Sequence, residues 1–235
     1  MLDKIKFCIN ESVTVKSQLL KDERMLQLIS ELVDVIVTIF RNGNHIYFCG
    51  NGGSAADAQH LAAEFSGRFY INREALPAEA LHCNTSYLTA VANDYTYDVI
   101  YSRLIRGIGK KGDMLIGLST SGNSVNIVQA FDTAREKGMV TVGFTGEGGG
   151  LLKERSDYLV NVPSSNTPRI QEAHMGDTAG LSLREADDRH QCGRAACPGA
   201  PRTGGPGGAA GSSRTGRWDA AVLRIRSRSF YSSPS

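Results

Sequence analysis

Residues 46–54, Ile-Tyr-Phe-Cys-Gly-Asn-Gly-Gly-Ser, constrain the fold of this chain more than any other stretch. An unbroken apolar run ends in three glycines around Asn51 and leads into a helical pattern carrying Asp57, His60 and Glu64. A run without polar alternation suits a strand covered on both faces, as in a parallel sheet. The glycines permit positive φ and let main chain approach a ligand closely. The helix start behind them offers unbonded N–H groups and a positive dipole end, which favour an anion. His60 and Glu64 are four residues apart and share a helix face, a pairing suited to metal or proton chemistry. Each part also has an ordinary use. Glycine turns punctuate many α/β chains, and a His/Glu pair is often a solvated face. The turn matches neither G-x-G-x-x-G nor G-x-x-x-x-G-K-[ST], so a nucleotide reading is weak.

A second strand-to-turn unit decides between these readings. Met114-Leu-Ile-Gly-Leu118 is another buried-strand run, followed by Ser119-Thr-Ser-Gly-Asn-Ser124 and a helical pattern from Val125 to Lys137. Hydroxyls and open amides at a helix start hold phosphate without a basic side chain. Capping needs one such side chain, and four hydroxyls in six residues exceed it. The spacing therefore predicts a phosphate cradle at 119–124.

The rest of the chain fits the same architecture. Helical periodicity over residues 3–41 predicts one broken or two successive amphipathic helices. Strands are expected near 46–49, 78–82, 114–118, 140–144 and 158–162, with helices between them. That alternation predicts an α/β fold with a parallel sheet and right-handed crossovers. Both turns then lie at the carboxyl ends of strands, where ligands bind in open α/β sheets. Gly146 to Gly150 reads as a flexible surface loop rather than a third cradle.

The chain resembles the sugar isomerase (SIS) domain family and, within it, the phosphoheptose isomerases. The resemblance covers about residues 1–176 and rests on Gly50-Asn-Gly-Gly-Ser54, Asp57 to Glu64, Gly67-Arg68, Ala92-Asn-Asp94, Ser119 to Ser124 and Arg169-Ile-Gln-Glu172. It implies a three-layer sandwich around a five-stranded parallel sheet. It also implies conversion of sedoheptulose 7-phosphate to D-glycero-D-manno-heptose 7-phosphate by enediol proton transfer, for bacterial surface-polysaccharide heptose, in a homotetramer with one zinc per subunit. By the same resemblance Asn51, Gly52, Gly53, Asn93 and Asp94 contact the sugar, and Ser119, Thr120, Ser121 and Ser124 hold the phosphate. His60, Glu64 and Gln171 are the implied zinc ligands. Glu64 and Gln171 also face the substrate, with Glu64 the base that moves the proton. The family's fourth ligand, a histidine eight residues after the glutamine that also serves as the partner acid/base, corresponds here to Ala179. His174 reads as a packed or solvated histidine and not as its substitute.

Beyond residue 176 the composition changes. Residues 177–235 hold nine Arg, no Lys, nine Gly and five acidic residues, with a Gly/Pro cluster at 198–211. Such a stretch is expected to stay disordered, because it cannot bury enough apolar surface to offset its ordering entropy. Domain organisation is thus expected as an SIS domain over 1–176 and a tail over 177–235. The tail reads as out-of-frame sequence replacing a C-terminal helix, with a genuine disordered arm or a nucleic-acid-binding tail as alternatives. Its few aromatics make nucleic acid the weakest of these.

No leader-like N-terminus and no apolar run near the roughly 20 residues of a membrane span are visible, so a cytoplasmic protein is expected. The scattered Cys8, Cys49 and Cys83 imply no disulfide framework. Two other function classes stay open: a non-catalytic SIS protein that binds the bacterial replication initiator, and a phosphosugar sensor without turnover.

Overall fold

The structure is a computed structural model that describes residues 1–69 and 72–176. Five parallel strands form one sheet: β1 Ile46–Gly50, β2 Ala78–Ala80, β3 Met114–Leu118, β4 Val140–Thr145 and β5 Tyr158–Asn161. Their order is β2-β1-β3-β4-β5. The chain steps from β1 outward to β2, then crosses back to β3 on the other side, so strand order reverses between β1 and β3. Every residue of β1 and β3 is buried, which is why neither run alternates. Register pairs them through Gly50 opposite Leu118, so both strands end level.

Helices cover both faces. The N-terminal periodicity resolves into two helices, α1 Leu2–Lys21 and α2 Glu23–Arg41. The break is Asp22, whose carboxylate accepts from the N–H groups of Arg24 and Met25 at 3.1 and 3.0 Å and so caps α2. On one face, α2 and α3 (Gly53–Ser66) bury Leu32, Ile36, Leu61 and Phe65 against Ile46, Phe48 and Ile116. On the other, α4 (Thr85–Asp94), α5 (Ile100–Ile108) and α6 (Val125–Glu136) bury Val91, Ile105, Ile127 and Phe131 against Tyr47 and Leu115. Burial of each large apolar side chain contributes about 1.5–3 kcal/mol, the main stabilising term of both layers. A last helix, α7, spans 167–176 and seats Ile170 and Ala173 in the α2/α3 layer.

Two expectations need correction. Strand β2 ends at Ala80 and not near 82: Leu81 still donates to the Phe48 carbonyl at 2.9 Å, but the chain then turns. The 146–150 segment is no free surface loop, for Gly146 and Gly149 are buried. The tail beyond 176, Ala179 included, lies outside the described residues. Cys8, Cys49 and Cys83 are free thiols, and burial pushes the Cys49 thiol far up. Among the described residues, no helix is long and apolar enough to cross a membrane.

Candidate functional site

The glycine turn leaves β1 through Asn51 and enters α3 with Gly52 at φ +56°, a conformation that glycine adopts without strain. Side chains from elsewhere hold it. Asn51 and Asn126 exchange two hydrogen bonds, Nδ2 to Oδ1 in each direction at 2.9 Å. The Tyr97 hydroxyl donates to Asn51 Oδ1 at 3.2 Å. The Tyr101 hydroxyl donates to the Gly50 carbonyl, and burial raises its pKa, so the donor keeps its proton. At the head of α3, Gln171 lies against Gly53, where a β-carbon would overlap its amide. A larger residue there would push the glutamine side chain aside.

The hydroxyl turn is built mainly by backbone. Its Gly122 has φ +67°, and a β-carbon there would run into the Gly149 carbonyl. Gly146 donates to the Thr120 carbonyl at 3.0 Å, Leu152 to the Gly122 carbonyl at 3.1 Å, and Leu151 to Asn123 Oδ1 at 2.9 Å. The 146–150 loop thus forms the wall behind the cradle. Ser119 and Ser124 hydroxyls stand 3.1 Å apart, and Ser121 Oγ accepts from the Asn123 N–H at 3.2 Å. Ser124 occupies the N-cap of α6, yet its side chain makes no capping bond. That hydroxyl meets Ser119 instead of the helix.

His60 and Glu64 meet on one face of α3, as their spacing predicts. His60 Nε2 lies 3.3 Å from Glu64 Oε1, with the Glu64 side chain only 20 % exposed. Between them and Gly53, burial raises the pKa of Asp57, opposed by nearby His60, and Asp57 Oδ2 is buried without a hydrogen-bond partner. Zinc with bonds of about 2.0–2.1 Å has tetrahedral edges of about 3.3 Å, so His60 and Glu64 fit one edge. Gln171 lies nearer the head of α3. It sits at Gly53, whereas His60 and Glu64 begin about 10 and 16 Å further along the helix axis at 1.5 Å per residue. Among the described residues, no group of three or more His, Cys, Asp or Glu is placed to hold a metal.

Other expected residues take separate places. Asn93 and Asp94 end α4 on the exposed surface, with Asn93 Nδ2 donating to Asp94 Oδ1 at 3.0 Å. His174 is fully buried: Nε2 donates to the Thr145 carbonyl at 3.1 Å, and the ring meets Phe144 edge-on at 5.6 Å. Burial pulls its pKa down to about 4, so it is a packed, neutral ring. Asn126, Tyr97 and Tyr101 escaped the sequence reading, as did the supporting role of the 146–150 loop. An asparagine just inside a helix start was the visible signal for Asn126, but it is indistinguishable from routine helix-start chemistry.

Comparison with known proteins agrees with this geometry. The family model described as SIS domain matches residues 10–146. The phosphoheptose isomerase of Aneurinibacillus thermoaerophilus is 50% identical over 175 residues, covering 74% of this chain and 88% of that protein. That of Synechocystis sp. is 53% identical over 154 residues, covering 66% of this chain and 79% of that protein. Among solved structures, phosphoheptose isomerase from Neisseria gonorrhoeae superposes with a TM-score of 0.73 at 36% identity, over 80% of this chain and 98% of that one. The Francisella tularensis enzyme gives 0.74 at 32% identity, over 77% and 95%. With a five-stranded parallel sheet, a glycine turn and a hydroxyl turn on adjacent strands, the chain belongs to the SIS domain family, among its phosphoheptose isomerases.

Proposed function

We propose that this chain interconverts sedoheptulose 7-phosphate and D-glycero-D-manno-heptose 7-phosphate, supplying heptose for bacterial surface polysaccharide. One observation carries the reading: the hydroxyl turn and the glycine turn stand side by side at the level ends of β1 and β3, joined by Asn51 and Asn126. The phosphate would lie against Ser119, Thr120, Ser121 and Ser124, where the α6 amides and dipole favour its charge. The sugar would extend toward Asn51, Gly52 and Gly53, with Asn93 and Asp94 on the rim.

Glu64 would take the proton from C1, leaving its electron pair to form the C1=C2 enediol as the carbonyl oxygen gains a proton. Returning that proton to C2 while the C1 hydroxyl loses its own gives the aldehyde. General acid–base help of this kind contributes about 10²–10⁴-fold. Zinc held by His60, Glu64 and Gln171 would polarise the carbonyl. The oxygen protons need a second acid/base, and alanine at 179 cannot supply one. The exposed apolar residues of α1, Leu2, Ile5, Ile9 and Val13, support a homotetramer.

Turnover of sedoheptulose 7-phosphate by the purified chain, measured with its zinc content, tests the reading. A second chain with a helix and a histidine at 179 in place of the tail is measured beside it. Turnover is expected, and higher in the second chain. Binding without turnover in both would establish the alternative, a phosphosugar sensor, which the alanine at 179 favours.

A further inference from the structure

Beyond Gly50 and Leu118 nothing in the sheet holds the two turns at a fixed spacing. The helices that follow them, α3 and α6, pack on opposite faces and lead the chain apart. The Asn51–Asn126 pair bridges that opening across 75 residues of sequence. Its polarity is set from one end. The Ile127 N–H can only donate, and it is shared between the Ser124 carbonyl and Asn126 Oδ1, each at 3.0 Å, so that oxygen faces inward. Asn126 Nδ2 must then be the donor to Asn51 Oδ1, and Asn51 Nδ2 the donor to Asn126 Oδ1. The Tyr97 hydroxyl gives its proton to the second lone pair of Asn51 Oδ1. Asn126 is 3% exposed, so water competes little for the two amide bonds, whereas Tyr97 is 49% exposed and its bond is open to water.

Two consequences follow. The Asn51 side chain has its oxygen filled twice and one amide hydrogen committed, so a ligand at 51–53 meets main-chain N–H groups before that side chain. The separation between the turns is set by two amides and a phenol, not by the ligand. We propose that Asn126 and Tyr97 are positioning residues: with Asn51 they form a clasp that fixes the distance between the phosphate cradle and the glycine turn, and so the length of phosphosugar that engages both. This rests on the phosphosugar reading above and deepens it.

The test compares a ligand that spans both turns with one that fills only the cradle. In the full chain, Asn126→Ala is expected to weaken sedoheptulose 7-phosphate binding about tenfold while inorganic phosphate changes less than about twofold. Tyr97→Phe, which keeps the ring and the packing, is expected to weaken the heptose phosphate about threefold and leave phosphate alone. Equal losses for both ligands, or none for either, overturn the clasp. Should Asn126→Ala fail to fold, Tyr97→Phe carries the same comparison. A wild-type chain that binds neither ligand sinks the phosphosugar reading. The clasp is then judged without ligand, by hydrogen exchange of the side-chain amides. Slow exchange of Asn51 Nδ2 that becomes fast in Tyr97→Phe supports the clasp, and fast exchange in the wild type overturns it.

Discussion

The turn after β1 and the turn after β3 end adjacent strands at the same level, yet they are made by opposite means. The first has little main-chain support of its own and is held by the side chains of Asn126, Tyr97, Tyr101 and Gln171. The second is held mostly by backbone, with Gly122 seated on Gly149 and Gly146 bonded to Thr120. The glycine turn and its helix carry the groups that ionise, while the hydroxyl turn presents neutral donors. A site of this kind can be retuned at its reacting end by ordinary substitution. The shape of its hydroxyl turn changes only by moving backbone.

The largest effect expected lies at the reacting end. Glu64→Gln keeps the shape and removes the base, so turnover should fall about 10²–10⁴-fold with ligand affinity nearly unchanged; unaltered kcat would remove Glu64 from its role. At the other end, Gly122→Ala forces a β-carbon against backbone at positive φ. It should lower unfolding free energy by about 3 kcal/mol in urea titrations. Gly52→Ala meets open space, so its cost is backbone strain alone at φ +56°, ψ −123°, about 1–3 kcal/mol and less than at Gly122. Equal costs at the two glycines would erase the distinction between the turns.

Acid should act on the backbone-built turn from behind. His174 bonds the carbonyl of Thr145, directly before the 146–150 wall. Its folded pKa, about 4, lies below its ordinary 6.5. Between those values the unfolded chain binds a proton that the folded chain refuses, so stability falls as pH drops through this window. The loss should approach about 3 kcal/mol near pH 4, read from urea midpoints, and His174→Phe should flatten it. Smallest are Ser121→Ala and Ser124→Ala. Each should raise KM about five- to tenfold through one lost hydrogen bond, with kcat retained; a pure kcat loss would contradict the cradle.

Sequence made the strands legible because β1 and β3 are buried on both faces and read as unbroken apolar runs. It overextended β2, since the side chains of Leu81 and His82 carry no mark of the turn they make. The hydroxyl turn was legible because its chemistry sits in side chains. Its wall was not: glycines 146–150 pack by main chain, and packing of that kind leaves no side-chain pattern. Gln171 was found through resemblance, but its seat against Gly53 depends on how α7 docks. Periodicity in α1 announced an amphipathic helix without saying that Ile5 and Ile9 would remain uncovered in one chain.

The Asn51–Asn126 pair also has a meaning in time. At about 5–20 residues per second of synthesis, the 75 residues between its members take about 4–15 s to emerge. Tyr97 and Tyr101 become available to the glycine turn within that interval, but nothing ties it to the hydroxyl turn until an asparagine from the far side of the sheet arrives. The join between the turns is therefore a late product of chain assembly, and the 146–150 wall and Gln171 follow later still.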